Sequence, residues 1–378
     1  MYGRNPNKSI GGGKIMRKLG VSIYPEKSTV EEIFAYLKEM REIGATRIFS
    51  CLLSVNKPAE EVKEDFTKIH DYAKELGYEI ILDVNPSVFK ELGVSYTDLK
   101  FFHDIHADGI RMDGGFTGFE EALMTYNPYG LKVEINMSSR THTIDTIMDY
   151  KPNRYQLCAC HNFYPHDHSG LDLDYFLKSS EKFTKYGLRT AAFIGSLEKG
   201  AFGPWPTTDG LCTLEMHRHM PIDIQLKHIV ATDLIDDIII ANCFPSQEEK
   251  EALRNVCLDV VNFKVTLEPN IPETEKKIVL QELHFSRGDL NPCMIRSSKS
   301  RTTYRGHQFD IFNAPEKIHR GDILIDSSLY GTYAGELQIA LVDMDNDGRT
   351  NVVGHVRDEE LFIVDGLKPW QKFRFTLE

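Results

Sequence analysis

Three apolar runs end in residues whose types and spacing suit acid–base chemistry: Asp83 and Asn85 in "YEIILDVNP" (78–86), Arg111 and Asp113 in "GIRMDGG" (109–115), and Glu134 and Asn136 in "KVEINMS" (132–138). Residues two apart on a strand project from the same face, so each run closes on a same-face polar pair. One such pair is as readily an interior ion pair or a loop cap, but three on consecutive strands point to a shared site. Carboxylates converging with one guanidinium and two amides suit proton transfer on a polyhydroxylated substrate. One carboxyl would be protonated to release a leaving oxygen, and another would act as base or nucleophile. Asp113 and Glu134, ending adjacent strands, are the expected catalytic pair, and Asp83 could replace either. Asp83, Asn85, Arg111 and Asn136 are expected to bind substrate.

These residues need a frame. Eight apolar runs end in Gly, Pro, Ser or Asn: 19–25, 46–54, 78–86, 109–115, 132–138, 154–165, 189–196 and 237–246. Between them lie stretches of helical periodicity, such as "STVEEIFAYLKEMREIGA", closed by glycine before the next strand. Strands alternating with helices imply parallel pairing, and eight such units within about 250 residues suit a (β/α)8 barrel better than an open doubly wound sheet. In a barrel, chemistry collects at the C-terminal strand ends. The seventh and eighth strands are separated by a long Gly/Pro/Trp segment beginning "LEKGAFGPWP", which reads as a lid. The expected domains are a barrel over 18–265 and a small all-β barrel or sandwich over 266–378, where short alternating runs such as "GDILIDS" and "GELQIALVDM" take over. Residues 1–17 read as a disordered leader. The "GGGK" within it, Gly11 to Lys14, lacks the spacing of a phosphate loop.

The sixth run continues into "CACHNFYPHDHSG" (158–170), with two cysteines and three histidines in thirteen residues. Alternation puts Cys158, Cys160 and Asn162 on one face and His161 and Phe163 on the other. The cysteines read as small buried residues, and neither C-x-x-C nor H-x-x-x-H spacing is present, so no metal is expected. His161, Asn162 and Tyr164 fall at the functional end and are expected to contact substrate. His166, Asp167 and His168 read as a solvated loop. "DMDNDGRTNVVG" (343–354) opens like a calcium loop but has Gly354 where the bidentate Glu belongs, so it reads as a hairpin turn. "MIRSSKSRTTYRG" (294–306) gathers arginines and hydroxyls, and Arg296 and Arg301 are expected to hold a phosphate or carboxylate.

The chain of 378 residues is 41% hydrophobic and carries a net charge of −12 without a basic block, which argues against nucleic acid or an acidic membrane as partner. Seven scattered cysteines and the lack of an apolar leader segment fit reduced thiols in a cytoplasmic protein. No cofactor fingerprint is present, and the oligomeric state is not legible.

The strand end "HNFYP", the later "GLCTLEMHR", "TNVVGHV" and the barrel-plus-small-β layout together resemble the bacterial 6-phospho-N-acetylmuramidases, over essentially the whole chain after the leader. That resemblance implies a TIM barrel joined to a cyclophilin-like domain. It also implies cytosolic hydrolysis of 6-phospho-N-acetylmuramic acid linked to N-acetylglucosamine, imported during cell-wall recycling. The carry-over covers His161 to Pro165 and Glu215, His217 and Arg218, with Cys212 standing where the family pattern has proline. A glycoside hydrolase of a phosphorylated amino sugar is the resulting expectation. A metal-assisted sugar-phosphate hydrolase or isomerase using His161, His166 and His168, or a non-enzymatic sugar-phosphate binder, is the alternative.

Overall fold

Eight parallel strands close on themselves in chain order: β1 (Lys18–Ile23), β2 (Ala45–Cys51), β3 (Glu79–Val84), β4 (Gly109–Met112), β5 (Lys132–Asn136), β6 (Leu157–Cys160), β7 (Arg189–Ile194) and β8 (Asp237–Ile240), with β8 pairing back to β1. The structure is a computed structural model and describes residues 17–53 and 59–378. The expected leader, with its "GGGK", lies outside the described residues apart from Arg17, whose guanidinium donates to the carbonyls of Ile235 and Leu258.

The strands form because they are short, β-branched and apolar, and the helices between them turn one apolar stripe inward. In the helix Val30–Ile43, Ile33, Tyr36, Leu37, Met40 and Ile43 are buried. Thr29 and Glu32 cap its start reciprocally, and Gly44 ends it at φ 112°, a left-handed conformation that costs glycine little. The long connection after β7 carries the helix Ile222–Thr232, whose side chains are buried all round.

Charged side chains fill much of the barrel interior. At its N-terminal end Glu79 pairs with Lys18 and Lys132. Above them Arg47 bridges Glu134 and Asp237 (2.6 Å to Asp237), and Arg189 also holds Asp237. Apolar side chains, among them Phe49, Cys160, Phe193 and Ile239, pack near the C-terminal end. The strands are staggered, as closure of a tilted sheet requires. In-register partners therefore descend along the axis: Cys51, Asp83, Arg111, Glu134, Cys158 and Arg189 form one such line, from the end of β2 to the start of β7.

The chain divides into two compact units between Leu258 and Asp259. The second holds a seven-stranded sheet in the order β10–β17–β9–β16–β13–β14–β11: β9 (Val261–Leu267), β10 (His284–Phe285), β11 (Met294–Ser297), β13 (Asp322–Asp326), β14 (Leu337–Ala340), β16 (Thr350–Val356) and β17 (Lys372–Leu377). Its edges β10 and β11 meet through Ser297, whose hydroxyl is 3.2 Å from His284 Nδ1, so the sheet is a nearly closed barrel. Pairing is antiparallel except between β17 and β9. The segment "VNFKVTL" opens this second sheet, so the boundary falls earlier than the expected residue 265. The "NDG" turn joins β15 (Met344–Asp345) to β16, but β15 pairs with β12 (Lys317–Ile318), so the expected hairpin does not form there.

Candidate active site

At the C-terminal end of the barrel Asp83, Arg111, Asp113, Asn162, Leu53, Phe163 and Trp205 line a cavity of about 170 Å³. Arg111 is its centre. One terminal nitrogen donates to Asp83 at 2.5 Å and to Asp113 at 3.2 Å, and the other donates to Asn162 Oδ1. Its Nε is buried with no hydrogen-bond partner among the described residues.

The two carboxyls differ in setting. Asp83 is buried, and burial pushes its carboxyl up to about 7; Arg111 opposes this rise, and the neighbouring charge of Asp113 reinforces it. Asp113 has 41% of its side chain exposed. At neutral pH the pair therefore offers a carboxyl near half-protonation beside one in contact with water. That is the division of labour that acid–base catalysis uses.

Each group is held from behind. Asn136 donates to the Asp113 carbonyl at 3.2 Å and accepts from the Ser138 amide. The Asn162 amide donates to Ser138 Oγ at 2.8 Å, and its carbonyl accepts from Thr213 Oγ1 at 2.8 Å. Tyr164 is partly buried, with its hydroxyl near Ser138 and close enough to Arg111 and Asp113 to feel their charges.

Several expected site residues lie elsewhere. Glu134 is sealed in the barrel interior against Arg47 and does not line the cavity. The stagger explains this, because Glu134 stands in register with Arg111 but one strand further down the line. Asn85 caps the helix Pro86–Glu91, accepting from the amides of Ser87 and Val88. His161 points away from the barrel axis, between Ser138 and Ser180 and stacked on Phe176, and burial lowers it to about 3. Arg296 and Arg301 belong to the second unit, where both ion-pair with the buried Glu336, at 2.6 and 2.8 Å.

The "GLCTLEMHR" segment acts as scaffolding. Glu215 receives Arg218 and the amides of Gly170 and His168, and these donors hold its carboxyl at about 2. Arg218 also donates to the Tyr164 carbonyl at 2.9 Å, so this ion pair fixes the loop that presents Asn162 and Tyr164. His217 Nε2 lies 2.7 Å from His228 Nδ1 in a buried pair. Asp167, His168 and Glu215 place ligand-type atoms together, but Arg218 already supplies a cation there, 3.5 Å from Asp167. His161 does not join that group.

Trp205 was legible only as part of a lid. Lys27 donates to the carbonyls of Gly203 and Trp205, at 2.7 and 3.4 Å, and so ties down the loop that brings the indole to the cavity. A Cβ at Gly203 would lie 2.2 Å from Leu211 Cδ2, so a larger residue there would displace the buried Leu211 side chain.

The model of the 6-phospho-N-acetylmuramidase N-terminal region matches residues 19–255, and that of the family's C-terminal region matches residues 261–376. Among solved structures, an uncharacterized B. cereus protein is 44% identical, with 96% of this chain and 99% of that one covered and a TM-score of 0.85. A conserved Enterococcus faecalis protein of unknown function is 22% identical, with 96% of each chain covered and a TM-score of 0.66, which shows the same fold. No curated protein matches. No helix among the described residues is long and apolar enough to cross a membrane. With both halves matched by their models, the chain belongs to the 6-phospho-N-acetylmuramidase family, which supports a glycoside hydrolase role.

Proposed function

We propose that the chain hydrolyses a 6-phospho-N-acetylmuramyl glycoside in the recycling of cell-wall sugars in the cytoplasm, with Asp83 as general acid and Asp113 as nucleophile. The observation that carries this reading is the shared grip of Arg111 on one buried, proton-holding carboxyl and one open carboxyl in a single cavity. Family membership supplies the substrate class.

The protonated Asp83 delivers its proton to the glycosidic oxygen as the bond to the leaving sugar breaks. Asp113 bonds to the anomeric carbon as the glycosidic bond breaks, and a water that gives its proton back to Asp83 then displaces Asp113 from that carbon, which releases the sugar and restores both carboxyls. Arg111 holds both carboxyls in place, and Asn162 fixes the plane of the guanidinium. Both carboxylates reach one nitrogen, so their nearest oxygens lie at most about 6 Å apart, closer to the roughly 5–5.5 Å of retaining pairs than to the roughly 6.5–9.5 Å of inverting ones. Retention is the expected outcome. Trp205 and Phe163 give the sugar ring apolar faces to pack on. No step in this scheme requires a metal or cofactor.

The test is turnover of the phosphorylated disaccharide by wild type, Asp83→Asn and Asp113→Asn, with the product anomer followed by NMR. Release of the retained anomer by wild type and loss of turnover in both variants is the expected result. Turnover that survives Asp113→Asn would assign the nucleophile to the substrate's acetamido group, and turnover that survives both substitutions would overturn the assignment of the site.

A further inference from the structure

The second unit contains a cavity of its own, about 490 Å³ in volume, with Arg296, Asp326, Tyr330, Tyr333, Gln338 and Thr350 in its walls. Its apolar side is formed by Ile318, Leu324 and Met344, three members of one small cluster. None of this belongs to the barrel chemistry.

The polar groups in this cavity are built in rather than scattered. Asp326 is 5% exposed, Gln338 6% and Thr350 6%. Asp326 accepts from Thr350 Oγ1 at 2.9 Å and from Gln338 Nε2 at 2.7 Å, which orients the Gln338 amide and leaves its carbonyl oxygen without a partner among the described residues. Burial raises Asp326 to about 6. Arg296 spends only its Nε on Glu336, at 2.6 Å, and its two terminal nitrogens make no hydrogen bond among the described residues. Charges on the rim are already matched, Arg349 with Asp347 and Lys317 with Asp345. The unmatched donors are thus the planar fork of Arg296, a geometry that fits carboxylate or phosphate.

Beside that fork stands Tyr333, 45% exposed, with the guanidiniums of Arg296 and Arg301 over its ring at 5.8 and 5.2 Å. An aromatic wall, an apolar wall, an open amide acceptor and an anion fork together suit a ring that carries hydroxyls on its edge, C–H groups on its faces and one negative group. We propose that this cavity is a binding site for an anionic sugar, a pyranose bearing a carboxylate or phosphate that pairs with Arg296. The carboxyls of Asp326 and Glu336 hold the lining side chains in place, and the role proposed is binding. The inference concerns the second unit alone and stands apart from the reaction proposed for the barrel.

Hydrogen–deuterium exchange on the full chain tests it, with N-acetylmuramic acid, N-acetylglucosamine 6-phosphate and N-acetylglucosamine as separate probes. Exchange should slow at 294–297 and 328–333 with one or both anionic sugars and not with the neutral one. The anion that protects identifies carboxylate or phosphate as the preferred group. In Arg296→Gln and in the exposed-site variant Tyr333→Ala, at least tenfold more ligand should be needed for the same protection. Protection confined to barrel segments would overturn this site while leaving the barrel reading intact. Equal protection by the neutral sugar, or undiminished protection in a folded Tyr333→Ala protein, would overturn it as well.

Discussion

The barrel contains two charge clusters built from the same residue types at different depths. Deep inside, Arg47 and Arg189 face Glu134 and Asp237, two positive groups against two negative, all but Arg189 sealed from water. At the mouth, one Arg111 faces both Asp83 and Asp113, and Asp113 is open to solvent. The inner cluster is balanced in charge, each buried carboxylate facing a guanidinium. At the mouth, burial raises Asp83 to about 7, opposed by Arg111 and reinforced by the second negative charge of Asp113. Stability and reactivity are therefore separated by a charge count and one layer of depth.

The largest effect expected from breaking that contrast is on folding. Glu134→Gln removes one partner of the buried Arg47 and should cost about 3–5 kcal/mol of unfolding free energy. Thermal or urea unfolding checks this. A melting temperature unchanged from wild type would mean that the interior cluster does not hold the barrel together.

The mouth should respond in the opposite way. Asp113→Asn and Asp83→Asn should each lower kcat by ~10²-fold or more, the scale of general acid–base catalysis, without the loss of folding free energy expected for Glu134→Gln. Steady-state kinetics paired with melting curves read both halves of the comparison. Asp83→Asn also removes a carboxyl whose folded value lies above its unfolded one. That proton favours the folded state fully below the unfolded carboxyl value of about 4, and the contribution is lost progressively as pH rises from there to about 7, so the wild type should lose stability between pH 5 and 7 and the variant's melting temperature should vary less between pH 5 and 8.

These two clusters also show what the sequence could and could not disclose. The eight strands were legible because each is a short apolar run, and the mouth was legible because Asp83, Arg111 and Asp113 sit late in such runs. The depth of Glu134 was not. Its position in its own strand matches that of Arg111, and only the stagger of the closed sheet separates them. Asn85 had the spacing of a site residue, but the proline after it starts a helix that it caps. Arg296 and Arg301 read as anion-binding groups at the barrel's substrate, and the buried Glu336 with which both pair is too distant in sequence to be foreseen. The same holds for β9, whose pairing with the C-terminal β17 spans the whole second unit. Trp205 reaches the cavity on a loop that Lys27 holds from the opposite end of the barrel domain's sequence, a contact that spacing along the chain does not disclose.

Smaller effects sharpen the account. Trp205→Ala should raise KM about tenfold, the loss of roughly 1.4 kcal/mol of packing on the sugar, with kcat changed less. Asn85→Ala should cost about 1 kcal/mol of stability as a lost cap and leave kcat in place. A fall in kcat like that of Asp113→Asn would return Asn85 to the site.

The pH dependence of kcat/KM on the phosphorylated disaccharide tests most directly whether Asp83 is the proton donor. A general acid works only while protonated, so the wild-type rate should fall as pH rises through about 7, and the residual rate of Asp83→Asn should lack that limb. A wild-type profile that stays flat from pH 5 to 9, or an alkaline limb that persists in Asp83→Asn, would contradict it.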